Sequence, residues 1–266
     1  MTLPGIARSL VKRQSALKLS LAASGAAFWL VLGLFPAGLA AVNILGLVVD
    51  QQVIANYLGR LAEQGPGTLG YLLATQLGLI ARPSPGTGLI DTILVIISLW
   101  SVSTAVGQLI AGTRAAFGLR QPSFTRRRIQ ALIIGFGVIL VLPFLAYLLA
   151  DASSSRPRIS LLAVVIAVLA ITGTYVAASG RQRPLRSHLP GLAFATVAII
   201  GITLLFTLLV RRSGTYEAIY GAVAGSVITM IAVWLMVYAV LLGALLNTLL
   251  SEKDDVALGV DAVAHP

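Results

Sequence analysis

Nine carboxylates are all the acid this chain carries: Asp50, Glu63, Asp91, Asp151, Glu217, Glu252, Asp254, Asp255 and Asp261. Hydrolytic chemistry needs a general acid and base, or metal ions held by clustered carboxylates and histidines. Glu252-Lys253-Asp254-Asp255 is the one cluster, and its place just after a long apolar run marks a solvated helix end. The two histidines, His188 and His265, fall in a loop and in the tail, and there is no cysteine. No metal centre, disulfide or thiolate nucleophile is therefore expected. A Gly-Lys-Ser/Thr phosphate loop is also missing from the sequence, which argues against ATP-driven work by this chain alone. The expectation is a protein without enzyme activity and without a cofactor.

The chemistry that remains belongs to polar groups inside apolar segments, which are costly in lipid unless paired or wet. Asn43, Asp91, Ser103, Gln108 and Asn247 are these groups, and together they form a candidate polar path for a substrate. Each also has a plainer role. Asp91 suits a helix start, where the dipole favours a carboxylate. Asn43, Gln108 and Asn247 suit interhelical hydrogen bonds.

Further residues are expected to shape helices. Pro36 should kink its segment. Pro190, beside Gly191, suits a first helical turn, with Ser187 as the cap before it. Tyr220 opens the last apolar run, where Gly221 and Gly225 form a GxxxG face for close packing. Trp100, like Trp234, falls well inside an apolar run and is expected to pack. Arg114, Arg126, Arg127 and Arg128 stand at the edges of such runs, where they signal topology and attract anionic lipid headgroups.

These residues need elements to hold them, and the longest is 220–250, 31 residues without a charged side chain. As a helix it reaches about 46 Å, beyond a hydrocarbon core of about 30 Å. The chain is 58% hydrophobic and 11% charged, with a mean hydropathy of +0.94. Those values exclude an ordinary soluble domain and a disordered one. The net charge of +10 comes from basic residues lying between apolar runs, so it reads as topology and not as a nucleic-acid surface.

The pattern predicts an all-α polytopic membrane bundle of six spans, at about 17–49, 88–113, 129–150, 159–178, 189–210 and 220–250. Residues 1–16 form a cytoplasmic lead-in and 251–266 a polar tail. The apolar run 19–49 is 31 residues, too long for a signal-peptide core, so the first span is read as uncleaved. Between the first two spans, Val53, Ile54, Tyr57, Leu58 and Leu61 recur at helical spacing, which predicts an amphipathic helix in the interface. The apolar stretch 68–80 is 13 residues, too short to span, so 52–80 is expected to lie on the outer side as interfacial or re-entrant helices. With six spans, thirteen of the nineteen Lys and Arg fall on the side of the termini and six on the other. The positive-inside rule then puts both termini in the cytoplasm. Membrane lipids, with anionic headgroups at the cytoplasmic face, are the expected partners, with a homo-oligomer left open.

Landmarks fall in a familiar order along these spans: Phe35-Pro36, then Leu99-Trp100-Ser101-Val102-Ser103, then Leu189-Pro190-Gly191. Tyr220-Gly221, Trp234-Leu235 and Leu242-Gly243-Ala244-Leu245-Leu246-Asn247 follow. From Leu17 to Leu250 the chain resembles the YihY/BrkB family of bacterial inner-membrane proteins, once labelled ribonuclease BN. The resemblance implies a multi-pass protein of the bacterial plasma membrane. The chain departs from the family at three positions. Leu245 stands where the family has Glu in Gly-Ala-Glu-Leu-Asn, and Thr113 and Phe117 stand where it favours Asn and Tyr. The residues give the ribonuclease label no support. The expected function is transport or translocation of a lipid or other envelope constituent. The alternative is a non-catalytic scaffold for envelope integrity or resistance to host attack. One wet cavity shared by Asn43, Asp91, Gln108 and Asn247 would favour transport, and dry pairing of each would favour the scaffold.

Overall fold

The computed structural model of the 266-residue chain describes residues 3–45, 88–151, 156–179, 184–212 and 214–257. Among these the structure is helical, with no strand. The helices are α1 (Leu3–Ala16), α2 (Leu19–Leu45), α3 (Gly88–Ala116), α4 (Phe124–Asp151), α5 (Arg156–Ser179), α6 (Leu189–Arg212) and α7 (Gly214–Ala257). The interfacial helices expected over 52–80 lie outside the described residues, as does the end of the tail beyond 257. So do the side chains of Pro36, Asn43, Asp91, Tyr220, Gly221 and Gly225, although each of these residues sits within a helix.

Local chemistry sets the helix ends. After Ala116, Gly118 takes φ 69°, a left-handed conformation that costs glycine nothing. The amides of Gly118 and Leu119 then bond back to the carbonyls of Ala115 (3.1 Å) and Arg114 (2.9 Å), the paired closure that satisfies last-turn carbonyls. Lys18 does the same work between α1 and α2 at φ 49°, and the axes on its two sides differ by 63°. Before α6, Leu185–His188 forms one 3-10 turn, and the Ser187 hydroxyl donates to the Pro184 carbonyl (2.8 Å). Ser187 therefore closes that turn and does not cap α6 as the sequence suggested.

Several bounds differ from the sequence expectation. The lead-in 1–16 is largely helix, because Leu3, Ile6 and Leu10 repeat at helical spacing and Leu10 packs on the core. Helix α7 begins at Gly214 and continues to Ala257 through the first residues of the expected polar tail. At 44 residues it is about 66 Å long, more than the membrane requires.

Helices α2, α3 and α7 carry most of the packing, and α7 joins both ends of the chain. Its second half touches α1, α2, α3 and α6, while α2 and α4 both lie along α3 and also touch each other. Leu241, Ala244 and Leu245 of α7 meet Leu19, Ala23 and Ala26 of α2, Phe117 after α3, and Tyr175 of α5 in one core. Small residues allow this density. Gly33 of α2 faces Ser101 and Val102, and Gly135 of α4 faces the Ser103 backbone.

The outer surface is apolar. On α6, Val197, Leu204, Leu205 and Leu208 are all more than half exposed. Such a surface suits hydrocarbon, where a helix satisfies its own backbone and apolar side chains need no cover. Arg186–Leu209 and Val227–Glu252 are each long and apolar enough to cross a membrane. The bent pair Arg8–Ala16 and Leu19–Gly33 makes a third if taken as one span. Among the described residues there are thus two or three candidate spans, against the six expected.

Candidate functional site

The end of α7 is held by four buried hydrogen bonds. Asn247 is 1% exposed; its Oδ1 accepts the Gly191 amide (2.6 Å) and its Nδ2 donates to the His188 carbonyl (3.3 Å). The first-turn amides of any helix lack internal partners, so Asn247 serves as a cap for α6 supplied from another helix. The Tyr175 hydroxyl donates to the Val240 carbonyl (2.7 Å), and the Thr248 hydroxyl to the Ala116 carbonyl (3.1 Å). Around these bonds the rings of Phe117, Tyr175 and His188 pack at centroid distances of 5.5 to 5.9 Å. Ser179 Oγ and His188 Nε2 stand 3.2 Å apart, which resembles a nucleophile beside its base. The Ser179 hydroxyl is buried, however, and donates to the Tyr175 carbonyl (2.8 Å), so it is not presented to a substrate.

Beside this clasp lies a cavity of about 440 Å³. Arg13, Ala16 and Leu17 bound it on the α1 side, Ala116, Phe117 and Gly118 where α3 ends, and Leu245, Thr248, Ser251 and Glu252 along α7. Arg13 Nη1 meets Glu252 Oε1 at 2.7 Å on the rim. That hydrogen bond and the carboxylate charge raise the Arg13 pKa, so the guanidinium stays charged throughout the ordinary pH range. Both side chains are about half exposed, so the pair contributes at most about 1 kcal/mol to holding α1 in place. The cavity thus has a charged, hydroxyl-bearing rim and a floor of Phe117, Leu245 and Ala116. Such a shape accepts a polar head attached to an apolar body. Phe117 and Leu245, two of the three positions departing from the family pattern, line it. The third, Thr113, is fully buried and donates to the Leu109 carbonyl (2.8 Å).

Of the five residues expected to form a polar path, the side chains of Ser103, Gln108 and Asn247 are described. Ser103 is fully buried at the α3–α4 crossing, and its hydroxyl donates to the Trp100 carbonyl (3.0 Å). Asn247 is paired at the α6–α7 crossing, and Gln108 packs its amide against Gly25 of α2. These three occupy separate helix interfaces, because each short polar side chain finds the nearest backbone or small-residue gap. Asn43 lies in α2 and Asp91 in the first turn of α3, with side chains outside the described residues.

Two expectations for the basic and aromatic residues are corrected. Arg114 does not reach for headgroups: its Nε and Nη2 donate to the Arg120 carbonyl (3.1 and 2.6 Å), and its Nη1 to the Ala178 carbonyl. Last-turn carbonyls carry partial negative charge, and this guanidinium ties the end of α5 to the loop after α3. Trp100, expected to be packed, is 58% exposed, with the Arg128 guanidinium 4.0 Å from its ring centre. Arg126 is exposed, and Arg127 lies over the Phe124 ring at 5.9 Å. Pro190 is exposed in the first turn of α6, and Gly191 meets Gly243 so closely that a Cβ on either would collide with the other's backbone.

Sequence reasoning missed Arg13, Glu252, Tyr175 and Thr248. The signal for Tyr175 was present, since a phenol inside an apolar run needs a hydrogen-bond partner. Nothing in the sequence joined Arg13 to Glu252, 239 residues apart. Among the described residues no group of three His, Asp or Glu could hold a metal ion.

No curated protein and no solved structure matches the chain. A family model described as virulence factor BrkB matches residues 10–263, from α1 past the end of α7, and so takes in every residue lining the cavity. With nearly its whole length matched, and with apolar helices able to cross a bilayer, the chain belongs to the virulence factor BrkB family of membrane proteins.

Proposed function

We propose that this chain is a multi-pass protein of the bacterial inner membrane that moves a lipid or another amphiphilic envelope constituent, and that it is not an enzyme. The reading has six spans with both termini in the cytoplasm, supported by the thirteen-to-six division of basic residues. The cavity beneath α1 is the observation that carries it. Its charged rim and apolar floor match a ligand with both characters, and it opens at the end of the bundle where the N-terminal helix meets α7. Bound partners in this reading are membrane lipids.

A non-catalytic scaffold for the envelope is the second reading. The dry pairing of Asn247 and the burial of Ser103 favour it, because neither side chain lines a wet path. Purified protein in proteoliposomes separates the two. A transporter accelerates movement of a labelled phospholipid between leaflets over protein-free vesicles. A scaffold leaves that rate unchanged for every envelope lipid supplied.

A further inference from the structure

Arg128 points the wrong way for a topology signal. Helices α3 and α4 form an antiparallel hairpin in which Gly107 lies against Ala131 and Ser103 against Gly135. Arg128, one turn before Ala131, is therefore level with about residue 110 of α3. A long basic side chain near a span end ordinarily snorkels outward to water. This one runs inward: its Nη1 donates to Thr104 Oγ1 at 3.0 Å and its guanidinium covers the face of Trp100 at 4.0 Å. Thr104 lies twelve residues before the end of α3 at Ala116, about 18 Å along the helix. The charge thus sits near the middle of a helix pair read as spanning the membrane.

Among the described residues that charge has no ion-pair partner. Among the described residues the one ion pair is Arg13 with Glu252, and Arg128 Nη2 is buried without a hydrogen-bond partner. A charged group at such depth is costly unless something pairs with it. The surface around it is apolar and exposed, with Ile96, Ile97 and Trp100 on α3 and Ile133 on α4. An anion reaching Arg128 along this face must bring an apolar body with it. A guanidinium is suited to a phosphate oxygen, which reaches the unpartnered Nη2 once the side chains covering it shift.

We propose that Arg128 and Trp100 form a site within the α3–α4 wall for the phosphate of an anionic phospholipid whose acyl chains lie along Ile96, Ile97 and Ile133. The site deepens the lipid-moving reading and rests on α3 and α4 being membrane spans. Trp100 holds the guanidinium in place while the site is empty, and Thr104 fixes one of its nitrogens.

Full-length protein in nanodiscs of stated lipid composition tests this, with bound lipid counted by native mass spectrometry. Phosphatidylglycerol should be retained over phosphatidylcholine, and Arg128→Gln should weaken that retention about tenfold, the loss of a charge-assisted hydrogen bond. Arg126→Gln with Arg127→Gln should leave it nearly intact. Equal losses in both variants would reduce the effect to general surface charge and overturn the site. Inorganic phosphate competing as well as the lipid would likewise overturn it, since the acyl chains would then contribute nothing. A second readout does not depend on how Arg128→Gln folds. In a Trp29→Phe, Trp234→Phe chain, Trp100 fluorescence should shift as phosphatidylglycerol replaces phosphatidylcholine, and an unchanged spectrum contradicts the proposal. Lipid movement is measured separately in proteoliposomes. Selective binding without movement leaves this site standing and overturns the transport reading, whereas movement without selective binding overturns this site alone.

Discussion

Asn247 of α7 accepts the backbone amide of Gly191 in α6 at 2.6 Å, in a place where both residues are buried. One helix thereby satisfies the open first turn of another. Removing the side chain leaves that amide without a partner in a region closed to water. Asn247→Ala should cost about 1–3 kcal/mol, the usual penalty for an unsatisfied buried donor. Thermal unfolding in detergent reads the loss, and an unchanged midpoint would mean that water reaches Gly191.

Gly191 and Gly243 are where α6 and α7 approach most tightly, since each lacks room for even a methyl group. Gly243→Ala should therefore separate the helices and lower stability by more than Gly173→Ala, whose added Cβ meets nothing within 4 Å. Comparing the two variants by the same unfolding measurement isolates close packing from helix propensity, which favours alanine in both. Equal behaviour would contradict the packing described.

The Tyr175 hydroxyl makes a single bond, to the Val240 carbonyl. Tyr175→Phe removes it while keeping the ring against Phe117 and His188. The expected loss is about 1 kcal/mol, small because that carbonyl sits in a helix interior and can keep its backbone partner. A loss several times larger would assign the hydroxyl a wider role in the network.

Topology is open to a direct check. A reporter fused after residue 123, between α3 and α4, should lie in the cytoplasm, and one fused after residue 151 should lie outside. The reverse at both positions contradicts the six-span reading with cytoplasmic termini.

The helical, membrane-embedded character was legible because long uncharged runs permit little else in lipid, and the order of motifs along them identified the family. The importance of the last helix was legible for the same reason. Its working face was not. Gly221 and Gly225 drew attention as a local spacing, while the close crossing described lies at Gly243, whose partner Gly191 comes from another helix. The polar residues were visible too, but not their pairing. Asn247 finds an amide 56 positions away, and Arg13 finds Glu252 across nearly the whole chain. Arg128 was read as a surface signal because its position at a helix start says nothing about the direction its side chain takes.

In the transport reading the cavity beneath α1 admits a lipid on its way across the membrane. Ala16 is exposed on its wall, so Ala16→Trp fills the space without disturbing the core, and Val11→Trp, on an exposed part of the same helix that does not line the cavity, is the matched control. The measurement is the rate of labelled phospholipid movement between leaflets in proteoliposomes holding equal amounts of each protein. Ala16→Trp should slow movement severalfold while Val11→Trp moves lipid at the parent's rate. Movement by Ala16→Trp at the parent's rate would contradict that reading.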